Sequence, residues 1–123
     1  MRPFRNKYGA KRTRVGQVTY DSKAEAGRAQ ELAWLERAGE ITQLEEQPRW
    51  DFPINGNLLK IRSARYQNGR TVTYRADFAY RDKTGELVVE DVKGMDTEGS
   101  RLRRALMEAV HGIQVRVVKK VKR

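Results

Sequence analysis

Two aspartates and a lysine in the second half of the chain have the types and spacing needed for metal-assisted chemistry. Asp77 lies in a stretch of alternating polarity, and Asp91 and Lys93 lie two residues apart in the apolar stretch that follows. Side chains of a strand alternate between its two faces, so Asp91 and Lys93 should point to the same side. Carboxylates hold a divalent cation that polarises a phosphate and activates water, while a lysine orients that water or neutralises developing charge. The three residues therefore fit hydrolysis of a phosphodiester.

A turn between the two stretches determines whether the acids meet. Asp82-Lys83-Thr84-Gly85 fits a type I turn whose glycine is left-handed, which is the usual three-residue hairpin loop. With this loop Asp82 pairs with Glu86, Asp77 lies opposite Asp91, and Arg75 lies opposite Lys93. Directly opposed carboxylates have Cβ atoms roughly 5 Å apart and repel each other. A divalent cation between them would remove that repulsion.

Other interpretations of this hairpin stay open. A four-residue loop would put Glu90, rather than Asp91, opposite Asp77. Glu90 lies among valines, so one of the acids 90 and 91 should face the interior or the second helix. Asp-x-Lys is also a common tripeptide, and a surface hairpin of mixed charge needs no function.

Composition restricts the metal and the partner. The chain has no cysteine and one histidine, His111, so a thiolate or His-rich site is excluded. Carboxylates and carbonyls suit Mg²⁺, Mn²⁺ or Ca²⁺. The start of the chain lacks the apolar run of a secretory signal, and no segment is long enough to span a membrane. We therefore expect a soluble, cytoplasmic protein of one domain.

The net charge of +10 is concentrated at the two ends of the chain. Eleven of the 26 basic residues lie in residues 1–14 and 116–123, which contain no acid, and this leaves 15 against 16 acids in the body. Basic ends suit a phosphate backbone, although solubilising tails or a membrane-surface contact are alternatives. We predict DNA contacts from the basic residues of the first segment, Arg2, Arg5, Lys7, Lys11, Arg12 and Arg14.

The predicted elements form an α/β sandwich: a mixed, mostly antiparallel sheet flanked by two helices. Helix one begins with the capping box Ser22-Lys23-Ala24-Glu25 and ends before Gly39. Helix two runs from about Thr97 to Val110, before Gly112. We predict strands over 41–52 (interrupted at Pro48), 57–66, 71–81, 87–93 and from Ile113 onwards. The 71–81 strand should place Val72, Tyr74, Ala76, Phe78 and Tyr80 on one face, and helix two should bury Leu102, Ala105, Leu106, Ala109 and Val110.

Several motifs together resemble a known nuclease family. Tyr74-Arg75-Ala76-Asp77-Phe78, a hairpin, and Val88-Val89-Glu90-Asp91-Val92-Lys93-Gly94 are similar to the PD-(D/E)xK nuclease signature. The wider order of motifs resembles small phage-encoded proteins of that superfamily that are described as Holliday-junction-resolvase-like. These motifs are Asn6-Lys7-Tyr8-Gly9, Tyr20-Asp21-Ser22-Lys23-Ala24-Glu25, Gly39-Glu40-Ile41 and Gln47-Pro48. The resemblance covers about residues 6–118.

The resemblance implies a restriction-endonuclease-like core and a role for each motif residue. Asp77 and Asp91 would bind Mg²⁺, with Mn²⁺ as a substitute, and Lys93 would be the catalytic lysine. Glu25 would complete the metal shell or orient water, although it could instead serve only as the capping-box acid. Asp stands at position 91, where Glu is the commoner residue of the family.

The same resemblance implies a metal-dependent DNA endonuclease, selective for branched DNA and acting in the host cytoplasm if phage-encoded. A homodimer would suit symmetric cutting of two strands. The alternatives are a nicking or sequence-guided endonuclease of this fold and a non-catalytic basic DNA-binding protein. We expect an arm over residues 1–19, the nuclease domain over 20–118 and a basic tail over 119–123. Further DNA contacts are predicted at Gln47, Arg75, Arg101 and Arg104, each with a purely structural role as the alternative.

Overall fold

A computed structural model describes residues 13–15, 18–20 and 22–119 of the chain. Strands β1 (Thr13–Val15) and β2 (Val18–Tyr20) form an antiparallel pair that lies against helix α1 (Lys23–Arg37). Part of the predicted arm is therefore paired strand. The strands that follow α1 are β3 (Thr42–Glu46), β4 (Arg49–Asp51), β5 (Pro53–Ile54), β6 (Asn57–Leu58), β7 (Lys60–Ile61), β8 (Arg70–Thr71), β9 (Thr73–Arg75), β10 (Phe78–Arg81) and β11 (Leu87–Lys93). Helix α2 (Glu98–His111) and strand β12 (Arg116–Lys119) complete the order.

The central sheet has four strands in the order β12–β11–β10–β3. β12 runs parallel to β11, and the other neighbours are antiparallel. One core cluster joins the sheet to α1 through Ala26, Ala29 and Leu32, and a second joins it to α2 through Met107. The predicted α/β class, with a mixed, mostly antiparallel sheet and two flanking helices, is confirmed.

The hairpin between β10 and β11 has the predicted register from Phe78 to Arg81, and the pairing ends before Asp77. Phe78 pairs with Glu90 and Arg81 with Leu87, and the Asp82 N–H donates to the Glu86 carbonyl at 3.0 Å. Gly85, with φ of 87°, closes the three-residue loop. Asp82 Oδ1 accepts the Thr84 N–H at 2.9 Å, so the aspartate that begins the turn also stabilises it. The alternative of a four-residue loop, which would put Glu90 opposite Asp77, is wrong.

The predicted strand over 71–81 is instead divided among three strands: Thr71 ends β8, and β9 and β10 follow, joined by a crease at Ala76 and Asp77. β9 pairs with β4, whereas β10 pairs with β3 and β11. The apolar face changes side at the crease, so the prediction of one continuous face is wrong. Val72, Tyr74 and Ala76 belong to the α2 cluster, and Phe78 and Tyr80 belong to the α1 cluster.

Two other predictions over the middle of the chain need correction. The strand expected over 57–66 ends at Ile61, and residues 62–69 form the loop that joins β7 to β8. Arg75 is opposite Arg49 rather than Lys93, because β9 leaves the central sheet and pairs with β4. The predicted interruption at Pro48 is confirmed, since it separates β3 from β4.

Both helices begin and end at the predicted signals, but α2 is rotated from its expected face. Ser22 Oγ accepts the Glu25 N–H at 3.1 Å, and Thr97 caps α2 in the same way. Met107 is fully buried and Leu106 and Val110 are partly buried, whereas Leu102, Ala105 and Ala109 are exposed. The inward face of α2 also carries Arg104, whose side chain is 12% exposed.

No helix in the part of the chain that the structure describes is long and apolar enough to cross a membrane.

Candidate active site

Because the chain bends at the crease, Asp77 lies at the end of the β10–β11 pairing, beside the C-terminal half of β11. Its N–H donates to the Glu90 carbonyl at 3.0 Å, and its carbonyl accepts the Gln47 N–H at 2.9 Å. Gln47 has a positive φ of 56°, so the neighbouring chain bends at the same level. The Asp77 carboxylate turns to β11, where Oδ2 accepts the Val92 N–H at 2.6 Å. Backbone contacts on both sides therefore fix this acid.

Asp91 is held on the α2 face of β11 by a tyrosine from β9, a strand outside the central sheet. The Tyr74 hydroxyl donates to Asp91 Oδ2. Burial and the adjacent carboxylate raise the pKa of Tyr74, so the phenol keeps the proton that it donates. This bond orients one oxygen of Asp91.

Lys93 lies on the same face of β11 as Asp91, as predicted from the strand period. Its Nζ is 3.8 Å from Asp91 Oδ2 and 3.4 Å from Ser100 Oγ in the first turn of α2. The lysine side chain is partly exposed. It can thus offer a positive charge to a group that enters beside Asp91.

Glu25 reaches the two aspartates from the first turn of α1. The residues Glu25, Asp77 and Asp91 are 4%, 6% and 2% exposed. All three line an open cavity of about 310 Å³ together with Ser22, Arg75, Val92, Lys93, Gly94 and Met95. The structure thus brings all four predicted catalytic residues to one cavity.

The concentration of negative charge changes the protonation of Asp77. Burial, followed by the charges of Glu25 and Asp91, raises the pKa of Asp77 to about 8, although the Val92 N–H acts in the opposite direction. Without a cation, ionisation of Asp77 at neutral pH is therefore unfavourable. A divalent cation would reverse this balance, because it favours the ionised form of each acid near it.

Glu90 lies on the opposite face of β11 and takes no part in this cavity. It is fully buried, and Arg28 of α1 donates to both of its oxygens at 2.9 and 2.7 Å. The Tyr80 hydroxyl also donates to it. Burial opposes ionisation, but these partners hold the pKa of Glu90 below its ordinary value. Of the two acids at positions 90 and 91, Glu90 is the one that faces α1, and it does not face α2. Its contacts with Arg28 anchor α1 to the sheet.

The donor set at the cavity fits a hard divalent cation. In the described part of the chain, no group of three or more His, Cys, Asp or Glu side chains is arranged to hold a metal ion by itself. Mg²⁺ commonly binds through one or two carboxylates and keeps several waters. Asp77 and Asp91 are buried carboxylates that repel each other beside an open cavity, and these two alone supply the one or two carboxylates that Mg²⁺ needs. Glu25 adds a third acid beside them.

Comparison with protein families supplies one match. The family described as protein of unknown function (DUF1064) matches residues 5–122. The chain belongs to the DUF1064 family. No curated protein and no solved structure matches it.

The predicted DNA contacts of this DUF1064 chain have different positions in the structure. Arg75 lines the cavity. Arg101 is exposed and donates to the Asp96 carbonyl at 2.8 Å, whereas Arg104 turns inward and forms an ion pair with Asp96 at 2.6 Å. Gln47 is 3% exposed, and its backbone contact with Asp77 favours a positioning role. Arg2, Arg5, Lys7, Lys11, Arg12 and the side chain of Arg14 lie outside the described residues.

Sequence reasoning missed two groups of residues in this DUF1064 chain. Tyr74 was assigned only to an apolar face, although a tyrosine buried near acids generally finds a hydrogen-bond partner. Arg49 and Arg103 line a second cleft beside Asp91 and Lys93. Arg49 is not among the predicted DNA contacts, and the sequence alone leaves Arg103 open between a solvated helix face and a phosphate contact. For Arg103 the signal was available, because positions 103, 107 and 110 share one face of α2 with helical spacing.

Proposed function

We propose that the protein is a metal-dependent DNA endonuclease that hydrolyses phosphodiester bonds. The observation that carries the proposal is the convergence of Glu25, Asp77, Asp91 and Lys93 on one open cavity. Three buried acids beside one another oppose folding, so their presence requires a compensating role. A basic surface next to the cavity supports a polyanionic substrate.

Asp77 and Asp91 would hold the metal ion, and Glu25 would bind it or a water that it carries. The ion would supply Lewis-acid activation of the phosphate and of water. Lys93 lies beside Asp91 and would orient the attacking water or neutralise charge on the phosphate oxygens. Tyr74 keeps Asp91 in one orientation through its hydrogen bond. In the reaction, the water oxygen would bond to phosphorus as the water loses a proton to solvent, and the bond to the leaving sugar oxygen would break as that oxygen takes a proton from solvent.

We propose branched DNA as the preferred substrate and a homodimer as the active form. Both rest on the resemblance of the motifs to the junction-resolvase-like proteins and on the symmetry needed to cut two strands. A nicking or sequence-guided enzyme would use the same cavity. A non-catalytic binding protein would have no need for the complete set of acids and lysine.

The test is cleavage of labelled four-way junction, linear duplex and single strand, each with Mg²⁺, Mn²⁺ or EDTA. We expect junction cleavage with either metal ion and none in EDTA. Asp77→Asn and Asp91→Asn should each lower the rate by at least about a hundredfold, because each removes a charge that holds the ion (~3 kcal/mol). Glu40→Gln, an exposed acid distant from the cavity, is the control. Full activity in EDTA, or in either Asn variant, would exclude the proposed site.

A further inference from the structure

The middle of the chain contains an uninterrupted basic segment. Residues 52–76 contain five basic residues and no acid: Lys60, Arg62, Arg65, Arg70 and Arg75. Four of the five lie on the β7–β8 hairpin and its loop, where they are exposed. The near neutrality of the body as a whole therefore hides a strongly positive element.

This element is continuous with the candidate active site. A cleft of about 390 Å³ shares Asp91, Lys93 and Arg75 with the active-site surroundings and also contains Arg49 and Arg103. A neighbouring cleft of about 350 Å³ shares Arg49, Thr73 and Arg103 with the first and is also lined by Arg70. Together the two clefts form a groove, the arginine groove, lined by Arg49, Arg70, Arg75 and Arg103.

The arginines of the groove are placed close together despite their like charge. Arg49 and Arg75 are directly opposite each other across β4 and β9. Arg103 reaches the same strand from α2, since its Nε donates to the Thr73 carbonyl at 3.3 Å. Like charges directly opposite each other on neighbouring strands repel, and an anion between them would relieve that repulsion. Guanidinium groups match the geometry of a phosphate, which two of their N–H groups can contact together.

At the far end of the groove lies the loop of the β7–β8 hairpin, which is held by hydrogen bonds and cation–π contacts of its own. Tyr66 forms paired backbone hydrogen bonds with Ser63, at 3.3 and 3.0 Å. The guanidinium groups of Arg65 and Arg70 lie 5.7 and 5.4 Å from the centre of the Tyr66 ring. These cation–π contacts hold two arginines in place at the surface. The hairpin therefore presents fixed positive charges and an exposed aromatic ring.

We infer that the arginine groove and the β7–β8 hairpin bind the DNA backbone on one side of the scissile phosphate. This inference rests on the proposed function, since it takes DNA as the substrate and Asp77 and Asp91 as the cleavage site. Arg49, Arg70, Arg75 and Arg103 contact successive phosphates along one strand, and Lys93 lies where the groove meets the carboxylates. The contacts are electrostatic and do not select sequence, as a structure-selective enzyme requires.

The test measures DNA binding in EDTA, so that binding is scored separately from cleavage. The variant is Arg49→Gln with Arg70→Gln, two exposed positions that both line the second cleft of the groove. The matched control is Arg37→Gln with Arg81→Gln, which removes the same charge from exposed positions that line neither cleft. Junction affinity is measured by fluorescence anisotropy over a range of salt concentrations, and a thermal melt checks each protein.

The groove variant should bind about thirtyfold more weakly at 0.15 M salt, and its slope of log affinity against log salt should fall by about 1.8. The control should keep the wild-type slope. Equal slopes for the groove variant and the control would overturn the inference, even if the wild-type protein cuts DNA. A smaller slope in the groove variant without any cleavage by the wild-type protein would support the groove and refute the endonuclease. Wild-type binding to phosphatidylserine vesicles and not to DNA would refute both.

Discussion

Asp77 is the residue on which the electrostatics of the site depend. Its position follows from the crease, where Gln47 and Glu90 bind its backbone from two sides. Its carboxylate is buried beside Glu25 and Asp91, which together with burial raise its pKa to about 8. If the site binds a divalent cation as proposed, binding at neutral pH would release the proton that Asp77 keeps in the metal-free protein.

The raised pKa of Asp77 predicts that the metal-free protein loses stability as pH rises. The unfolded chain releases this proton near pH 4 and the folded chain near pH 8, so the folded state binds more protons throughout that interval and its stability falls with increasing pH. Between pH 5 and 8 in EDTA, the melting temperature should fall by an amount on the order of 10 °C. Asp77→Asn should remove most of that fall, and Mg²⁺ should reduce it in the wild-type protein. A wild-type melting curve that does not change over this interval would contradict the assignment.

The two roles of Glu25 predict different results for Glu25→Gln. Ser22 Oγ accepts the Glu25 N–H, a bond that does not need the glutamate side chain, so the helix cap should survive. The negative charge toward Asp77 would be removed. If Glu25 serves the metal ion, the cleavage rate falls at least about tenfold and the Mg²⁺ concentration for half-maximal rate rises, while the melting temperature changes little. Unchanged cleavage would show that Glu25 only caps α1.

At the level of the elements, α1 is joined to the sheet by a buried ion pair that also determines where Glu25 lies. Arg28 contacts both oxygens of Glu90, and the Arg28 pKa is raised by this bond. Glu25 is one helical turn earlier on α1, so the ion pair of Arg28 restrains the turn of the helix that carries Glu25. The ion pair on the α1 face therefore helps to position an acid of the candidate active site.

Removing Arg28 should affect both stability and cleavage. Arg28→Ala removes both guanidinium hydrogen bonds of the fully buried Glu90 and leaves it with the more distant Arg116 guanidinium at 4.0 Å, which should cost about 3 kcal/mol in the free energy of unfolding. Glu31→Gln is the matched control, because it removes only the exposed contact of Arg28 at 3.8 Å and should cost less than about 0.5 kcal/mol. Urea unfolding gives the two values, and cleavage assays test whether the Mg²⁺ dependence of Arg28→Ala shifts. Similar unfolding curves for the two variants would rule out the anchoring role.

Local signals predicted the elements better than they predicted how the elements face one another. The caps at Ser22 and Thr97 and the loop closed by Gly85 each depend on a few neighbouring residues, and all three have the expected geometry. The crease at Asp77 depends on pairing with β4, which is distant in sequence, so alternation alone suggested one flat strand. The same limitation applies to Tyr74, whose acidic partner belongs to another strand.

At the level of the whole molecule, charge is more unevenly distributed than a count over the body suggests. The ends carry eleven basic residues, and residues 52–76 add a positive segment of their own. The acids that balance this segment in the count include those buried at the cavity and at Arg28, where they add little to the outer surface. Positive charge is therefore concentrated in the sequence at the two chain ends and, in the part of the chain that the structure describes, along the arginine groove.

These two sources of positive charge predict separable contributions to DNA affinity. Deleting residues 1–12 removes Arg2, Arg5, Lys7, Lys11 and Arg12 and keeps the β1–β2 pair. The slope of log affinity against log salt should then fall by about 0.9 for each phosphate that the shortened chain no longer binds, and affinity should decrease accordingly. If the segment and the groove bind different phosphates, the decrease should be the same in the wild-type protein and in the Arg49→Gln, Arg70→Gln variant. The measurement is a salt titration of junction binding in EDTA with four proteins. These are the wild type, the Arg49→Gln, Arg70→Gln variant, and each of these two without residues 1–12.

The cleavage rate at saturating DNA separates binding from chemistry in the same four proteins. Deletion of residues 1–12 should leave this rate within about threefold of the wild-type value, because Asp77, Asp91 and Lys93 are positioned by the sheet and α2, and weaker binding is overcome by more DNA. An unchanged salt slope would show that the segment binds no phosphate and that the groove alone carries the substrate. Loss of cleavage at saturation would instead place residues 1–12 in the catalytic assembly, as expected if they cross to the second protomer of a dimer.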